Sequence, residues 1–195
     1  VIMLFNPFSN YSYYLTIALF ALMVNIFTLL VSVYAIGIEL KECTAGDWMQ
    51  TAGNNVYYAL IGKMLPYTLL FMANVMVMNI ILFHFLGTPI HGSLFIIILS
   101  EILLVLVYQI IAVVFIAITS NMRLSLSLGS AYTMMAITFS GLTFPTMAMP
   151  MLARLFSVIF PYTFWIKIFM SQTLRGEPLT ETVIPLIVIV AFILL

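Results

Sequence analysis

Residues 93–119 read SLFIIILSEILLVLVYQIIAVVFIAIT, an apolar run in which Glu101 is the single charged side chain. A helix needs about 20 predominantly apolar residues, at about 1.5 Å each, to cross the hydrocarbon core of a bilayer. This run is long enough, so the sequence predicts a membrane-spanning helix here.

The rest of the chain has the same character. Of its 195 residues, 65% are hydrophobic and only 6% are charged, with six basic and six acidic side chains. A soluble domain carries about 25% charged residues. The composition therefore excludes a soluble globular domain, a disordered chain and a nucleic-acid-binding protein. What remains is an all-α polytopic membrane helix bundle whose surroundings are the lipid bilayer.

Charged and polar residues divide the chain into further apolar runs. We predict four complete spans and the start of a fifth, at residues 12–37, 62–86, 93–119, 124–143 and 183–195. The chain opens on Val1 inside one apolar stretch and stops at Leu195 inside another, so we expect a piece of a longer protein. The fourth span carries small and polar residues that suit close helix packing, either within the bundle or between two copies: Ser125, Ser127, Gly129, Ser130 and Ala131.

The connecting segments differ in kind. Residues 38–61 hold four of the twelve charged side chains, and the bias of Lys and Arg toward short loops favours the cytoplasmic side for them. Residues 144–182 are apolar but interrupted by prolines, among them Pro145, Pro150 and Pro161. Apolar helices broken by proline suit a re-entrant or interfacial pair better than a span.

Segment 38–61 predicts a short surface helix between two spans. Thr44 followed by Asp47 has the spacing of a capping box, so we expect a helix to begin there. Trp48 suits a helix at the level of the lipid head groups. Gly53 and Asn54 should end this helix, and Asn55 should cap the next one.

At this point the chain resembles a known family, the permease subunits of type-two ATP-binding-cassette exporters, in the branch that exports drugs and polyketides. The matching stretches follow the family order: Asn6-Pro7, Glu39-Leu-Lys-Glu-Cys-Thr44, Gly62-Lys-Met-Leu-Pro-Tyr67, Ser140-Gly-Leu-Thr-Phe-Pro145, Met149-Pro150 and Phe160-Pro161. In this family Gly usually precedes the Thr, and here the position holds Cys43. Either the turn needs no positive φ, or this copy is locally strained.

The resemblance implies a permease domain, at residues 1–195, that lacks the family's first span and extracytoplasmic domain. It implies a coupling helix within 38–61 that docks on a separate ATPase, and re-entrant helices within 144–182. The implied ATPase-coupling residues are Glu39, Lys41, Glu42, Thr44, Asp47, Trp48, Gly62 and Lys63. A second permease copy or homologue would pair with this one in the inner or plasma membrane, with a periplasmic adaptor as a possible further partner. The complex would export a hydrophobic or amphipathic substrate.

We expect no enzyme activity in the chain itself. Lys63 follows Gly62, but Met64 replaces the Ser or Thr of a P-loop and Tyr57 stands where its first Gly belongs. ATP and magnesium should therefore bind the partner ATPase, leaving this chain without a cofactor. No catalytic residues and no metal site are expected, although His84 and His91 flank one hairpin.

Glu101 is the one charge inside a predicted span. A charge at bilayer depth is costly, so it should face the bundle and be partnered. If the hairpin between the second and third spans is centred on residue 90, Asn79 lies at the same depth as Glu101 on the adjacent helix. Asn74 and Gln109 are the other polar side chains expected at membrane depth. A hydrogen-bonded Asn79–Glu101 clamp is one interpretation. The other interpretations of Glu101 are a role in proton or substrate handling and a solvated position near the interface. For the chain as a whole, the alternatives to an exporter are an ion-coupled secondary transporter that uses Glu101 and a purely structural membrane scaffold.

Overall fold

The computed structural model describes residues 11–141 and 149–194. Within them the helices are, in chain order, α1 Tyr11–Lys41, α2 Ala45–Thr51, α3 Val56–Ile80, α4 Leu94–Thr119, α5 Met122–Phe139, α6 Met151–Ser157, α7 Pro161–Met170 and α8 Leu179–Ile193. Two of them continue into a wider π-helical turn, α3 through Ile81–Phe85 and α7 through Ser171–Arg175. The predicted all-α class is confirmed.

Three of the described helices are long and apolar enough to cross a membrane: Thr16–Lys41, Val56–Phe85 and Leu94–Thr119. The predicted fourth span forms α5, which has 18 residues and ends at Phe139 rather than at residue 143. It is not among the three, and it carries several Ser and Gly residues in its first half. The described chain thus offers three candidate spans, or up to four if a bent helix pair counts as one.

Helices α1 and α3 both extend beyond the predicted membrane spans. α1 continues to Lys41, past residue 37, and α3 begins at Val56, directly after its predicted cap Asn55 and six residues before the predicted span. The connecting segment is therefore 42–55, shorter than the predicted 38–61. We call this end of the bundle the elbow end, and the opposite end, where residues 86–93 join α3 to α4, the hairpin end.

Helices α3 and α4 run antiparallel in the register that the sequence predicts. Asn79 Nδ2 donates to Glu101 Oε2 at 2.7 Å. Closer to the elbow end, Thr68 Oγ1 donates to Gln109 Oε1 at 2.9 Å. Both pairs fit a hairpin centred close to residue 90.

Helix α1 packs along α5, and small residues make the close approach possible. A Cβ built on Gly37 would collide with the side chain of Met122, whereas one on Gly129 would make ordinary contact with Leu29 and Leu30. Gly129 is buried in this contact and Ser125 is buried against α4, where its hydroxyl donates to the Phe115 carbonyl at 3.3 Å, whereas Ser127, Ser130 and Ala131 face outward. The small residues of α5 therefore serve packing within the bundle on one face and leave the other face open.

The last part of the described chain is a bent pair followed by an apolar helix. α6 and the helix Pro161–Arg175 meet at 87°. The ring of Phe160, at the bend, lies 5.0 Å from Tyr132 in the middle of α5, and Gln172 lies beside Gly92 at the hairpin end. α7 thus runs from mid-depth to the hairpin end. Helix α8 begins at Leu179, four residues before the predicted position, and packs against α4 and α7.

Candidate functional site

The elbow end holds the first candidate site, a set of side chains that joins α1, α2 and α3. Lys63, on α3, forms an ion pair with Glu39 near the end of α1. Thr44 Oγ1 donates a hydrogen bond to the same carboxylate. Lys63 Nζ also lies 5.1 Å from the centroid of the Trp48 ring on α2, a cation–π contact. Four of the predicted coupling residues therefore form one cluster.

The beginning of α2 corrects one prediction. Thr44 stands at the N-cap of α2, but its side chain makes no capping hydrogen bond, and its hydroxyl donates to Glu39. The expected capping box with Asp47 is therefore wrong, although the helix begins where it was predicted. The second cap is as expected, since the Asn55 side chain accepts from the backbone N–H of Tyr57 at 3.0 Å.

The remaining predicted coupling residues point away from this cluster. Lys41, Glu42 and Asp47 are exposed, and α2 contains no buried residue. Gly62 has open space where a Cβ would stand. Lys41 and Arg123 line one shallow cavity of about 280 Å³, so the α4–α5 connection lies at the elbow end, as the predicted topology requires.

Cys43 adopts a left-handed backbone conformation with φ of 60°. This is the position at which the resembling family usually has Gly. Of the two alternatives left open by the sequence, the structure therefore supports the strained one, because a side chain in this region crowds the following carbonyl group. The strain lies directly before Thr44, at the point where the chain leaves α1 for α2.

Inside the bundle, Glu101 is partnered as predicted. Asn79 and Glu101 are each 7% exposed, and the hydrogen bond between them joins α3 to α4. Both residues line a cavity of about 20 Å³, together with Trp165 of α7. Gln109 is likewise buried and bonded to Thr68, but Asn74 lies on an exposed face of α3 and joins neither pair.

The prolines of the bent pair occupy helix starts. Pro150 directly precedes α6, and Pro161 is the first residue of α7, where its missing N–H leaves no intrahelical bond unmade. Pro145 lies outside the described residues. A bent pair of helices therefore occupies part of the predicted segment 144–182, and its re-entrant path stays a prediction.

Gln172 is a residue that the sequence reasoning missed. It is fully buried where the π-helical end of α7 meets the hairpin end. Its Oε1 accepts from the backbone N–H of Ser93 at 2.9 Å, its carbonyl accepts from the N–H of Gly92 at 2.8 Å, and its Nε2 donates to Thr182 Oγ1 at 3.0 Å. One side chain thus fastens α7 to the hairpin and to α8. The sequence carries no local signal for this role, because Gln172 stands among other polar residues, Ser171, Thr173 and Arg175.

The two histidines of the hairpin end, His84 and His91, have no third metal-ligating side chain beside them among the described residues. Across residues 11–141 and 149–194, no group of three His, Cys, Asp or Glu side chains is close enough to hold a metal ion. His91 instead lies against Gly176, where a Cβ would come within 2.9 Å of the His91 Cβ. The histidine therefore contributes to the contact between the hairpin and the end of α7.

Comparison with protein families gives one result that covers the whole chain. Residues 1–195 match the family described as ABC-2 family transporter protein. No curated protein and no solved structure gives a significant match.

Proposed function

Because this chain belongs to the ABC-2 family of transporter proteins, we propose that it forms the substrate pathway of an exporter driven by a separate ATPase. The family makes the chain a membrane permease component of an ABC transporter, with an ABC ATPase subunit as partner. The proposal adds the direction of transport, outward, and a hydrophobic or amphipathic substrate. It also assigns the elbow as the mechanical link to the ATPase.

The observation that carries the proposal is the construction of the elbow. α2 is held to both neighbouring helices through Glu39, Lys63 and Trp48, while its own surface is free for a partner. A movement of the ATPase against such a helix is transmitted to α1 and α3, whereas a flexible loop would not transmit it. Both of these helices are candidate spans, so the movement would reach the bundle.

The exposed acidic residues of the elbow supply a direct test. We expect Asp47→Lys to lower the amount of ATPase that co-purifies with the permease and to lower ATP-driven transport, because the change reverses a charge on the docking surface. Glu181→Lys makes the same change at an exposed carboxylate of α8, and should leave the ATPase bound. Equal retention of the ATPase in both variants would exclude α2 as the docking element.

We further propose that two permease copies pair through the outward face of α5. Ser127, Ser130 and Ala131 are exposed there, and small residues allow helices in lipid to approach closely. Ala131→Cys, made in a Cys43→Ser background, should cross-link to a second copy in membranes. Val77→Cys, on an exposed face of α3, is the matched control and should give no cross-link.

Glu101 supports a second candidate function, an ion-coupled transporter. Its carboxylate is buried at membrane depth beside a small cavity, and intramembrane carboxylates often carry protons in carriers. Such a carrier would work without ATP, respond to a proton gradient and lose activity in Glu101→Gln. An exporter of the first kind would retain ATP-driven transport in that variant.

A further inference from the structure

A groove of about 360 Å³ opens between α7 and α8 near the hairpin end. Lys167, Ser171 and Arg175 line it from the α7 side, and Glu181 and Pro185 line it from α8. The groove lies outside the elbow and does not include the Asn79–Glu101 pair. The proposed function leaves it without a role.

Charges of both signs face this groove without meeting each other. Lys167 and Glu181 both line it, but the only ion pairs within residues 11–141 and 149–194 are Lys63–Glu39 and Arg175–Glu177. Lys167 Nζ lies 5.6 Å from the centroid of the Phe164 ring. A charge near the membrane is stabilised by a counter-charge. The groove therefore offers Lys167 to a negatively charged group of an occupant and Glu181 to a positively charged group.

The depth of the groove corresponds to the polar boundary of a bilayer. The hydrogen bond from the N–H of Ser93 to Gln172 places Gln172 level with the start of α4. Lys167 lies five residues closer to the bundle centre, about 7.5 Å at about 1.5 Å per residue, and a lysine can extend toward the interface from that depth. Ile184, which also lines the groove, is 70% exposed.

The two walls of the groove are held in position without an occupant. Gln172 Nε2 donates to Thr182 Oγ1 across the gap between α7 and α8 at 3.0 Å. The ion pair between Arg175 and Glu177, at 3.0 Å, lies in the connection between the two helices. An occupant therefore meets a preformed site, which lowers the entropy lost on binding.

We propose that the α7–α8 groove binds the head group of an aminophospholipid from the leaflet at the hairpin end. Lys167 Nζ donates to the phosphate, and the Glu181 carboxylate accepts from the primary ammonium group. Ile184 and Pro185 lie against the first methylene groups of the acyl chains. A quaternary ammonium cannot donate a hydrogen bond to Glu181, and a glycerol head group has no cation for it, so the site prefers ethanolamine over choline or glycerol.

The test is lipid retention by the purified permease–ATPase complex, measured by native mass spectrometry after titration with phosphatidylethanolamine, phosphatidylcholine or phosphatidylglycerol. Wild type should retain phosphatidylethanolamine about tenfold more tightly than the other two, as expected for one charge-assisted hydrogen bond. Lys167→Gln should weaken binding of all three lipids by about tenfold, and Lys167→Arg should restore it. Lys41→Gln, at the elbow end, should change nothing.

The variant Glu181→Gln distinguishes specific binding of the head group at this site from nonspecific adhesion of lipid. It should reduce phosphatidylethanolamine binding to the level of phosphatidylcholine and leave phosphatidylcholine unaffected. Because Glu181 is exposed, this arm decides the question even if Lys167→Gln fails to fold. The proposal is overturned if wild type binds the three lipids equally, or if Glu181→Gln retains the preference for ethanolamine.

Discussion

Gln172 occupies the space that the missing side chain of Gly92 leaves open. A Cβ on Gly92 would collide with the Gln172 carboxamide and would stand 3.0 Å from the Gln172 Cα. The same two residues share a backbone hydrogen bond, from the N–H of Gly92 to the Gln172 carbonyl. This contact fastens the bent pair to the hairpin between α3 and α4.

Gly92→Ala should therefore destabilise the protein. Because the backbone of Gln172 is part of the obstruction, a change of side-chain rotamer cannot remove it, and overpacking of this kind costs about 1–3 kcal/mol. The measurement is thermal unfolding of the purified complex in detergent. Gly46→Ala is the matched control, since nothing lies within 4 Å of its Cβ position. Equal unfolding temperatures for the two variants would contradict the contact.

Replacing Asn79 should be more harmful than replacing Glu101 by its amide. Asn79→Leu leaves the buried Glu101 carboxylate without its 2.7 Å hydrogen bond, and an unsatisfied buried polar group costs about 1–3 kcal/mol. Glu101→Gln retains a side chain that can bond to Asn79, so we expect folding to stay intact.

Transport assays of the same variants address the role of Glu101. If Glu101→Gln folds and transports as wild type does, proton or substrate handling by this residue is excluded and the clamp is its whole function. If Asn79→Leu unfolds no more readily than wild type, the clamp contributes nothing to stability.

Relieving the backbone strain at Cys43 should stabilise the elbow. Cys43→Gly removes a side chain from a left-handed conformation, a change worth about 1 kcal/mol. Asn54→Gly, at a φ of 57°, is the comparison, and it should gain less because Asn tolerates this conformation. Both are measured as shifts in denaturation midpoint, and an equal or larger gain for Asn54 would count against the strain at Cys43.

Breaking the elbow ion pair should uncouple the ATPase from the bundle more than it unfolds the protein. Glu39→Lys removes the ion pair that joins α1 to α3 through Lys63 and the side-chain bond from Thr44 at the start of α2. We expect ATP hydrolysis to continue while ATP-driven transport falls. The double variant Glu39→Lys with Lys63→Glu restores opposite charges and should recover part of the transport. Failure of the exchange to recover any would show that the pair itself is not the link.

Much of the fold could be predicted from the sequence because a lipid environment permits few backbone structures. A backbone in hydrocarbon must satisfy its own hydrogen bonds, so long apolar runs become helices. Because a short hairpin joins two such helices, the sequence also predicted that Asn79 lies at the same depth as Glu101. The resemblance to the ABC-2 family was also readable, since its motifs follow one another along the chain, and the match over residues 1–195 confirms the family.

Other features were decided only by tertiary structure. Thr44 stands at the start of its own helix but makes no side-chain bond to it, and its hydroxyl donates to Glu39 because the end of α1 lies beside it. The small residues of α5 could have faced inward or outward, and the packing of α1 and α4 buried Gly129 and Ser125 while leaving Ser127 exposed. Gln172 meets Gly92 across 79 intervening positions, and nothing local to either residue marks the other. Periodicity and composition determine which segments enter the membrane, but the choice among competing partners depends on which helices become neighbours.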